Sequence, residues 1–375
     1  MRIALVTRRF DPAGGGTERD LTITAQILAR AGHQVTIYAA ETRAPSSEFP
    51  IRRVVTPPLG RAVRLLWFAR SAGARAYLDG AEMVLSFARI VAADVLRSGG
   101  GAHSSYLRAA RRWRGAAGAM RLAPYHRVQI AVEAAGFHNP RLRRAIAVSN
   151  LVRDDLIATF GISPAVAVTI YNGVELERFR PERDPAARAE LRRRLGLPDG
   201  AFATLFVGNG FARKGLRYLF EAWPIANSRA RLIVIGADRK LRAYRELARR
   251  LGAEDRIAML GPRDDVDRLM RGADALVLPS LFEPFGNVAI EAMACGAPAL
   301  VSGYCGAAEI MPAALRQFVV ADPLDRSDFA AKLTALIEQA SALRETARAA
   351  AEAYTWERHG RELLALIEDA AAIRR

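Results

Sequence analysis

Phe282-Glu283-Pro284-Phe285-Gly286-Asn287-Val288-Ala289-Ile290-Glu291-Ala292 is the stretch whose reading decides the fold. It sets two carboxylates eight residues apart across a small Gly286-Asn287 step. The apolar run Ala275-Leu276-Val277-Leu278-Pro279-Ser280 precedes it, and an apolar segment ending at Cys295-Gly296 follows. The pattern predicts strand, loop and helix, with Glu283 in the loop and Glu291 one to two turns into the helix. At such a helix start the N–H groups of Phe285, Gly286 and Asn287, with Val288 beside them, face an anion. Carboxylates on either side of that anion suit hydroxyls. Hydroxyls flanking a phosphate describe a nucleotide sugar. Taken alone, the pair reads equally well as a solvated loop Glu and a Glu favoured at a helix N-terminus by the dipole.

The surrounding chain repeats this grammar. Strands are expected at Ala203–Val207, Arg231–Gly236, Ile257–Leu260, Ala275–Leu278 and Pro298–Val301, with helices between them. In the first half, Arg2–Thr7, His33–Ala40, Ala81–Phe87 and Ala145–Ser149 read as strands, and Thr17–Arg30 and Asn150–Phe160 as helices. Short runs of Val, Ile and Leu without alternation mean strands buried on both faces, hence parallel sheets. The reading is α/β: two doubly wound domains, over 1–172 and 173–355, with a last helix over 356–375. The linker is expected within Asn172–Pro181. Ligands of such folds sit at the carboxyl ends of the strands.

Three further loops fall at those ends. Gly14-Gly15-Gly16 after the first strand allows close backbone approach to a phosphate or sugar, and Glu18 lies just beyond. Gly208-Asn209-Gly210-Phe211-Ala212-Arg213-Lys214 opens the second domain; two adjacent cations there match a diphosphate. The chain holds only three lysines, Lys214, Lys240 and Lys332, so composition explains that pair poorly. Gly261-Pro262-Arg263-Asp264-Asp265 follows another strand; the acidic residues after it suit a helix start better than a metal. In the first domain, Asp94 precedes Gly99-Gly100-Gly101-Ala102-His103.

The bulk numbers set the limits. With 375 residues the chain suits two domains. Cys295 and Cys305 fit neither a disulfide framework nor a metal spacing, which points to a reducing compartment. No apolar run approaches the ~18 residues of a membrane span, and the first residues read as a core strand, not a signal peptide. A cytoplasmic protein is expected. Its net charge of +16 and pI of 10.8 call for an anionic partner or for a solvated excess of arginine set by coding bias, and no nucleic-acid-reading module is visible. From Val95 to Val132 there is no Asp or Glu. There, Tyr106, Ala109, Ala110, Trp113, Ala116, Ala117 and Met120 share a helical face, with Arg108, Arg111, Arg112 and Arg114 off it. Such a basic amphipathic helix, across Arg108–Arg127, suits an anionic membrane surface. The alternative is a helix packed by Trp113 and Met120 with its arginines in water.

The Glu283/Glu291 spacing, the basic pair and the glycine loops resemble the retaining GT-B glycosyltransferases of family 4, over essentially the whole chain. The resemblance implies two Rossmann-like domains facing across a cleft, with the last helix crossing back to the first. It puts Glu283 on the hydroxyls of the transferred sugar, Glu291 on the ribose, and Arg213 and Lys214 on the diphosphate. Phe285, Gly286, Asn287 and Val288 add contacts, Arg263 neighbours the base, and Gly15 and Gly16 reach the donor. His103 lies near the reacting face of the sugar, with Asp94 and Glu18 as weaker candidates. No metal and no cofactor are implied beyond the nucleotide sugar, here UDP-glucose. Similarity to the branch acting on the lipopolysaccharide inner core implies a glycolipid acceptor and peripheral attachment to the inner face of the cytoplasmic membrane. A non-hydrolysing sugar-nucleotide epimerase of the same fold, a transferase for another acceptor, and a basic nucleic-acid-binding protein are the competing readings.

Overall fold

The computed structural model describes residues 1–11, 14–43, 48–114, 123–225 and 229–373. It contains two compact units, Met1–Asn172 with Glu357–Arg375, and Gly173–Trp356.

In the first unit, β1 (Arg2–Phe10), β2 (Gln34–Thr42), β3 (Ile51–Arg53), β4 (Met83–Ser86), β5 (Val95–Ser98), β6 (Arg144–Ala147) and β7 (Ala167–Thr169) form one parallel sheet. Its order is β3-β2-β1-β4-β5-β6-β7. The helices are α1 (Gly16–Arg30), α2 (Arg61–Leu78), α3 (His103–Arg114), α4 (Pro124–Phe137) and α5 (Asn150–Phe160). Local chemistry sets the bounds of α5. Ser149 caps it by accepting from the Val152 N–H, and Gly161 ends it at φ 63°.

The second unit has α6 (Pro185–Arg194), β8 (Phe202–Val207), α7 (Leu216–Ala222), β9 (Ala230–Ile235), α8 (Leu241–Arg250), β10 (Ile257–Gly261), α9 (Val266–Gly272), β11 (Ala275–Leu278), α10 (Asn287–Ala294), β12 (Ala299–Ser302) and β13 (Val319–Val320). Then come α11 (Arg326–Gln339) and α12 (Arg344–Glu352). The six strands are parallel in the order β10-β9-β8-β11-β12-β13. Every residue of β4, β11 and β12 is buried, which is why these strands read as unbroken apolar runs.

The last helix, α13 (Trp356–Ala372), belongs with the first unit. There Leu363, Leu366, Ile367 and Ala370 join one core with Ile3, Leu5, Leu21 and Leu28. Arg144 pairs with Asp369 and Arg143 donates to the Ala370 carbonyl at 3.0 Å, tying this helix to β6. No helix among the described residues is long and apolar enough to cross a membrane.

Both sheets reverse direction of winding beside their first strand, between β1 and β4 and between β8 and β11. The carboxyl ends at those two points are where open α/β sheets take ligands. One expectation fails here. Asp94 immediately precedes β5, so it sits at the amino edge of the sheet, away from any such site. It is 1% exposed, accepts from the Tyr77 hydroxyl and the Val84 N–H at 2.8 Å each, and pairs with Arg143 at 3.1 Å. Its role is to join strands, not to bind substrate.

Candidate functional site

In the second unit, the loops leaving β8 and β11 converge. The first carries Arg213 and Lys214; the second carries Glu283. Arg213 Nη1 donates to Glu283 Oε2 at 2.9 Å and to the Phe282 carbonyl at 2.7 Å. Lys214 Nζ donates to the same Oε2 at 2.8 Å, and the Ser280 hydroxyl approaches it at 3.3 Å. The Leu281 N–H donates to the Arg213 carbonyl at 2.8 Å, closing one loop onto the other. The Lys214 and Glu283 side chains are 9% and 13% exposed, and that of Arg213 28%.

Backbone constraints hold the trio. Gly208, at φ 140°, lies under the Lys214 side chain. Gly286, at φ 96°, opens α10 and leaves no room for a Cβ, which would lie 2.7 Å from Cys305 Sγ. The segment after β12 braces Glu283 from the far side. The Glu283 N–H donates to the Tyr304 carbonyl at 2.9 Å, and the Gly306 N–H to the Glu283 carbonyl at 3.0 Å. The Phe285 carbonyl accepts from the Ala307 N–H and from Cys305 Sγ.

Burial would push the Glu283 carboxyl up, but the charges and hydrogen bonds of Lys214 and Arg213 outweigh it and hold it below the usual range. Glu283 is therefore a carboxylate, able only to accept. All three side-chain donors fall on Oε2; Oε1 accepts nothing among the described residues. Two N–H groups of Lys214, and Nε and Nη2 of Arg213, likewise have no partner among them. Two cations against one carboxylate leave a net positive charge beside an open carboxylate oxygen. That combination takes a hydroxyl and an anion side by side.

The other second-unit candidates stand around this trio. Phe285 is 3% exposed, so its side chain is packed inward. Asn287, Val288 and Glu291 are half-buried in the first two turns of α10. Asn287 and Glu291, four apart, share a helix face. Arg263 follows β10 at the same edge of the sheet, but its guanidinium closes on Asp265 through bonds of 2.8 and 2.7 Å. Two polar residues escaped the sequence reading. Ser280 is fully buried against Glu283, and Asn209 Oδ1 accepts from the Ala237 N–H at 2.7 Å, fixing the loop that presents Arg213. Ser280 lies two residues past the end of β11, so its place at a strand end was a readable signal.

The first unit gathers its own candidates. Gly15 caps α1 and Gly16 begins it, both exposed. The Gly14 N–H donates to the Asp11 carbonyl at 2.8 Å, and the Glu18 stem packs on Gly14. His103 opens α3 and is 6% exposed. Its N–H donates to Glu133 Oε2 at 2.8 Å, and its Nε2 shares a proton with His126 Nδ1 at 2.9 Å. Burial first, then Arg89 and His126, push the His103 imidazole down to about 4. His359, 2% exposed, is likewise pushed down to about 4, chiefly by burial.

A lowered histidine stabilises the fold when neutral. The unfolded chain takes up protons first as pH falls from 6.5 toward 4, so stability is expected to drop across that window. Melting temperature against pH is expected to show this limb, flattened in His103→Gln and further in His103→Gln/His359→Gln. An unchanged limb in the double variant would assign the acid sensitivity elsewhere.

The basic helix is only partly described. Residues 115–122, with Ala116, Ala117 and Met120, lie outside the described residues. In α3 the buried face is His103, Leu107 and Ala110, while Tyr106 and Trp113 are half-buried, with ring centroids 6.0 Å apart. Arg108, Arg111 and Arg114 are exposed.

Comparison with known proteins follows the division into units. Residues 14–178 match the model Glycosyltransferase Family 4, and residues 187–354 match Glycosyl transferases group 1. A D-inositol 3-phosphate glycosyltransferase of Salinispora tropica is 32% identical over 251 residues, 61% of this chain and 51% of that one. An uncharacterized glycosyltransferase of Methanocaldococcus jannaschii is 32% identical over 172 residues, 45% of this chain and 44% of that one. The chain thus spans about half the length of the curated relatives it matches. Among solved structures, WaaG, a glycosyltransferase involved in lipopolysaccharide biosynthesis, superposes with a TM-score of 0.80 over 99% of both chains at 23% identity. Anabaena HepE in complex with UDP and glucose gives 0.75 at 18% identity, over 98% of this chain and 100% of that one. At these identities the likeness is one of fold.

Proposed function

Since the chain carries a Glycosyltransferase Family 4 domain followed by a Glycosyl transferases group 1 domain in the GT-B fold, we propose that it transfers a hexose, with retention, from a nucleotide diphosphate sugar to a membrane glycolipid. The observation that carries this is Glu283, held ionised by Arg213 and Lys214 with Oε1 left open. In this reading Oε1 accepts from sugar hydroxyls, while the remaining N–H groups of Arg213 and Lys214 meet the diphosphate. Glu291 takes the ribose, Phe285, Gly286, Asn287 and Val288 line the donor, and Arg263 neighbours the base. Gly15, Gly16 and His103 act from the first unit. His103, neutral at physiological pH, serves as a hydrogen-bonding group and not as a proton donor of ordinary histidine pKa.

The anomeric carbon–oxygen bond to the diphosphate breaks as the acceptor oxygen bonds to the same face of that carbon. The acceptor proton passes to the departing phosphate oxygen. Negative charge grows on the diphosphate during this step, where the two cations stabilise it without a metal. UDP-glucose is the preferred donor, in keeping with the UDP and glucose bound by the HepE neighbour. The lipopolysaccharide inner core is the preferred acceptor in this reading; the WaaG neighbour is involved in lipopolysaccharide biosynthesis. The Arg108–Arg127 stretch places the protein on the inner face of the cytoplasmic membrane, at ~1 kcal/mol per surface arginine.

Release of nucleoside diphosphate, measured over a panel of nucleotide sugars with EDTA present, tests this reading. Lipid-linked core and D-inositol 3-phosphate are the acceptors, the latter because relatives carry that name. Release is expected from UDP-glucose only with the lipid acceptor. Epimerised sugar without acceptor would identify an epimerase, and release with inositol phosphate would replace the acceptor class.

A further inference from the structure

The first unit exposes a surface that the donor chemistry does not use. From Phe49 to Leu78 there is no Asp or Glu, while Arg52, Arg53, Arg61, Arg64, Arg70 and Arg75 all fall inside. Within that stretch Val55, Leu59, Val63 and Trp67 are 74%, 57%, 45% and 54% exposed. α2 already has a full buried face in Leu65, Phe68, Ala69, Ala72 and Ala76. Val63 and Trp67, one turn apart, are neighbours outside that face, with Leu59 just before the helix. Arg61, Arg64 and Arg70 are exposed around them and form no ion pair among the described residues, whereas Arg75 is taken by Asp79. An amphipathic helix normally turns its tryptophan inward. Here a Trp–Val–Leu strip faces solvent inside a ring of uncompensated arginines, which matches a partner both apolar and anionic.

The position of the strip is equally telling. A helix leading from β3 to β4 in a parallel sheet begins at the carboxyl edge, the edge from which the Gly14–Gly16 loop leaves β1. The Arg61 guanidinium lies 4.9 Å over the Tyr125 ring. Tyr125 accepts from Arg8 at 3.3 Å and meets His126 edge-on at 5.6 Å, and His126 bonds His103. One aromatic side chain therefore joins the strip to the histidine pair.

We propose that the Leu59–Trp67 face of the first unit docks on an anionic lipid bilayer. Trp67, Val63 and Leu59 enter the boundary between headgroups and acyl chains, and Arg61, Arg64 and Arg70 pair with lipid phosphates. The occupant is a lipid surface because the cations flank the apolar strip, as a headgroup plane flanks hydrocarbon, and because no acidic residue in the stretch competes for them. This extends the membrane part of the proposed function and moves the insertion point from α3 to α2. Tyr106 and Trp113 of α3 are half-buried against the unit, so that helix contributes charge through Arg108, Arg111 and Arg114.

Co-sedimentation of the full chain with phosphatidylcholine vesicles, with and without phosphatidylglycerol, tests the surface. Binding is expected only to the anionic vesicles. Trp67→Ser/Val63→Ser is expected to weaken it about tenfold, and Arg61→Ser/Arg64→Ser/Arg70→Ser by at least as much. Both variants are expected to keep the wild-type melting temperature and nucleotide-sugar affinity by calorimetry. Wild-type binding to neither vesicle, unchanged binding in both variants, or loss confined to Arg108→Ser/Arg111→Ser/Arg114→Ser would overturn the proposal. The calorimetric arm reads the Glu283 site alone. Failure there with the vesicle pattern intact would remove the transferase reading and leave the surface standing.

Discussion

Glu283→Ala is expected to lower kcat/KM for sugar transfer by about 10²–10³-fold and to destabilise the second unit by about 3 kcal/mol. The two effects trace to the two carboxylate oxygens. Oε2 collects Arg213, Lys214 and Ser280, so the alanine leaves a lysine that is 9% exposed without its counter-charge. It also removes Oε1, the open acceptor for a sugar hydroxyl. Glu283→Gln keeps the shape and an acceptor oxygen but loses the charge, and should fall between wild type and alanine in both readouts. The stability difference carries a pH signature. The folded carboxyl is held below its ordinary 4.5, so its contribution is complete above that value and fades as pH falls into the depressed range. Denaturant melts from pH 7 down to 3 should show wild type and Glu283→Ala converging only at the acid end. Full transfer activity in the alanine variant would falsify the assignment of Glu283 as a substrate ligand.

The sequence revealed what depends on continuous apolar runs and on loop chemistry at strand ends. β8, β11 and β12 carry their burial in the run itself, and Glu283, Arg213 and Lys214 each lie in a loop leaving such a strand. Short strands were less legible. Ile51–Arg53 and Val319–Val320 have too few residues to show any period, and both lie at sheet edges. Helix α2 was missed because Trp67 and Val63 on its solvent side blur the usual division into apolar and polar faces. The same anomaly later marks it as a surface with a partner. Direct pairing of the two cations with Glu283 was also out of reach. Sequence spacing put all three at carboxyl ends but could not tell whether the cations point at each other's loop or into the crevice. Asp94 shows the converse: near a strand in sequence, yet at the wrong end of it. Asp20, Arg97 and Asn172 were invisible altogether, since their buried contacts of 2.9 and 2.7 Å join residues more than seventy positions apart.

Gly208→Ala should separate the geometry of this site from simple backbone strain. Gly208 has φ 140°, and a Cβ built there would lie 2.6 Å from Lys214 Cδ and 2.9 Å from Nζ, in contact with Cε between them. The lysine must leave Oε2 to admit the methyl group. Gly210, two residues on, also has positive φ, 74°, but a Cβ there meets nothing within 4 Å. Gly210→Ala therefore bears only the left-handed backbone penalty, about 1 kcal/mol. The expectation is a split: Gly208→Ala loses about 10²-fold in kcat/KM and Gly210→Ala keeps most of it. Thermal melts and donor kinetics on the two proteins provide the comparison. Equal losses would mean that loop strain, not the position of Lys214, governs activity. A silent Gly208→Ala would mean that the ammonium reaches its partner by another path. The predicted asymmetry arises because the glycine is an empty space shaped by the lysine that crosses it, and the carboxylate on the opposite loop holds that lysine in place.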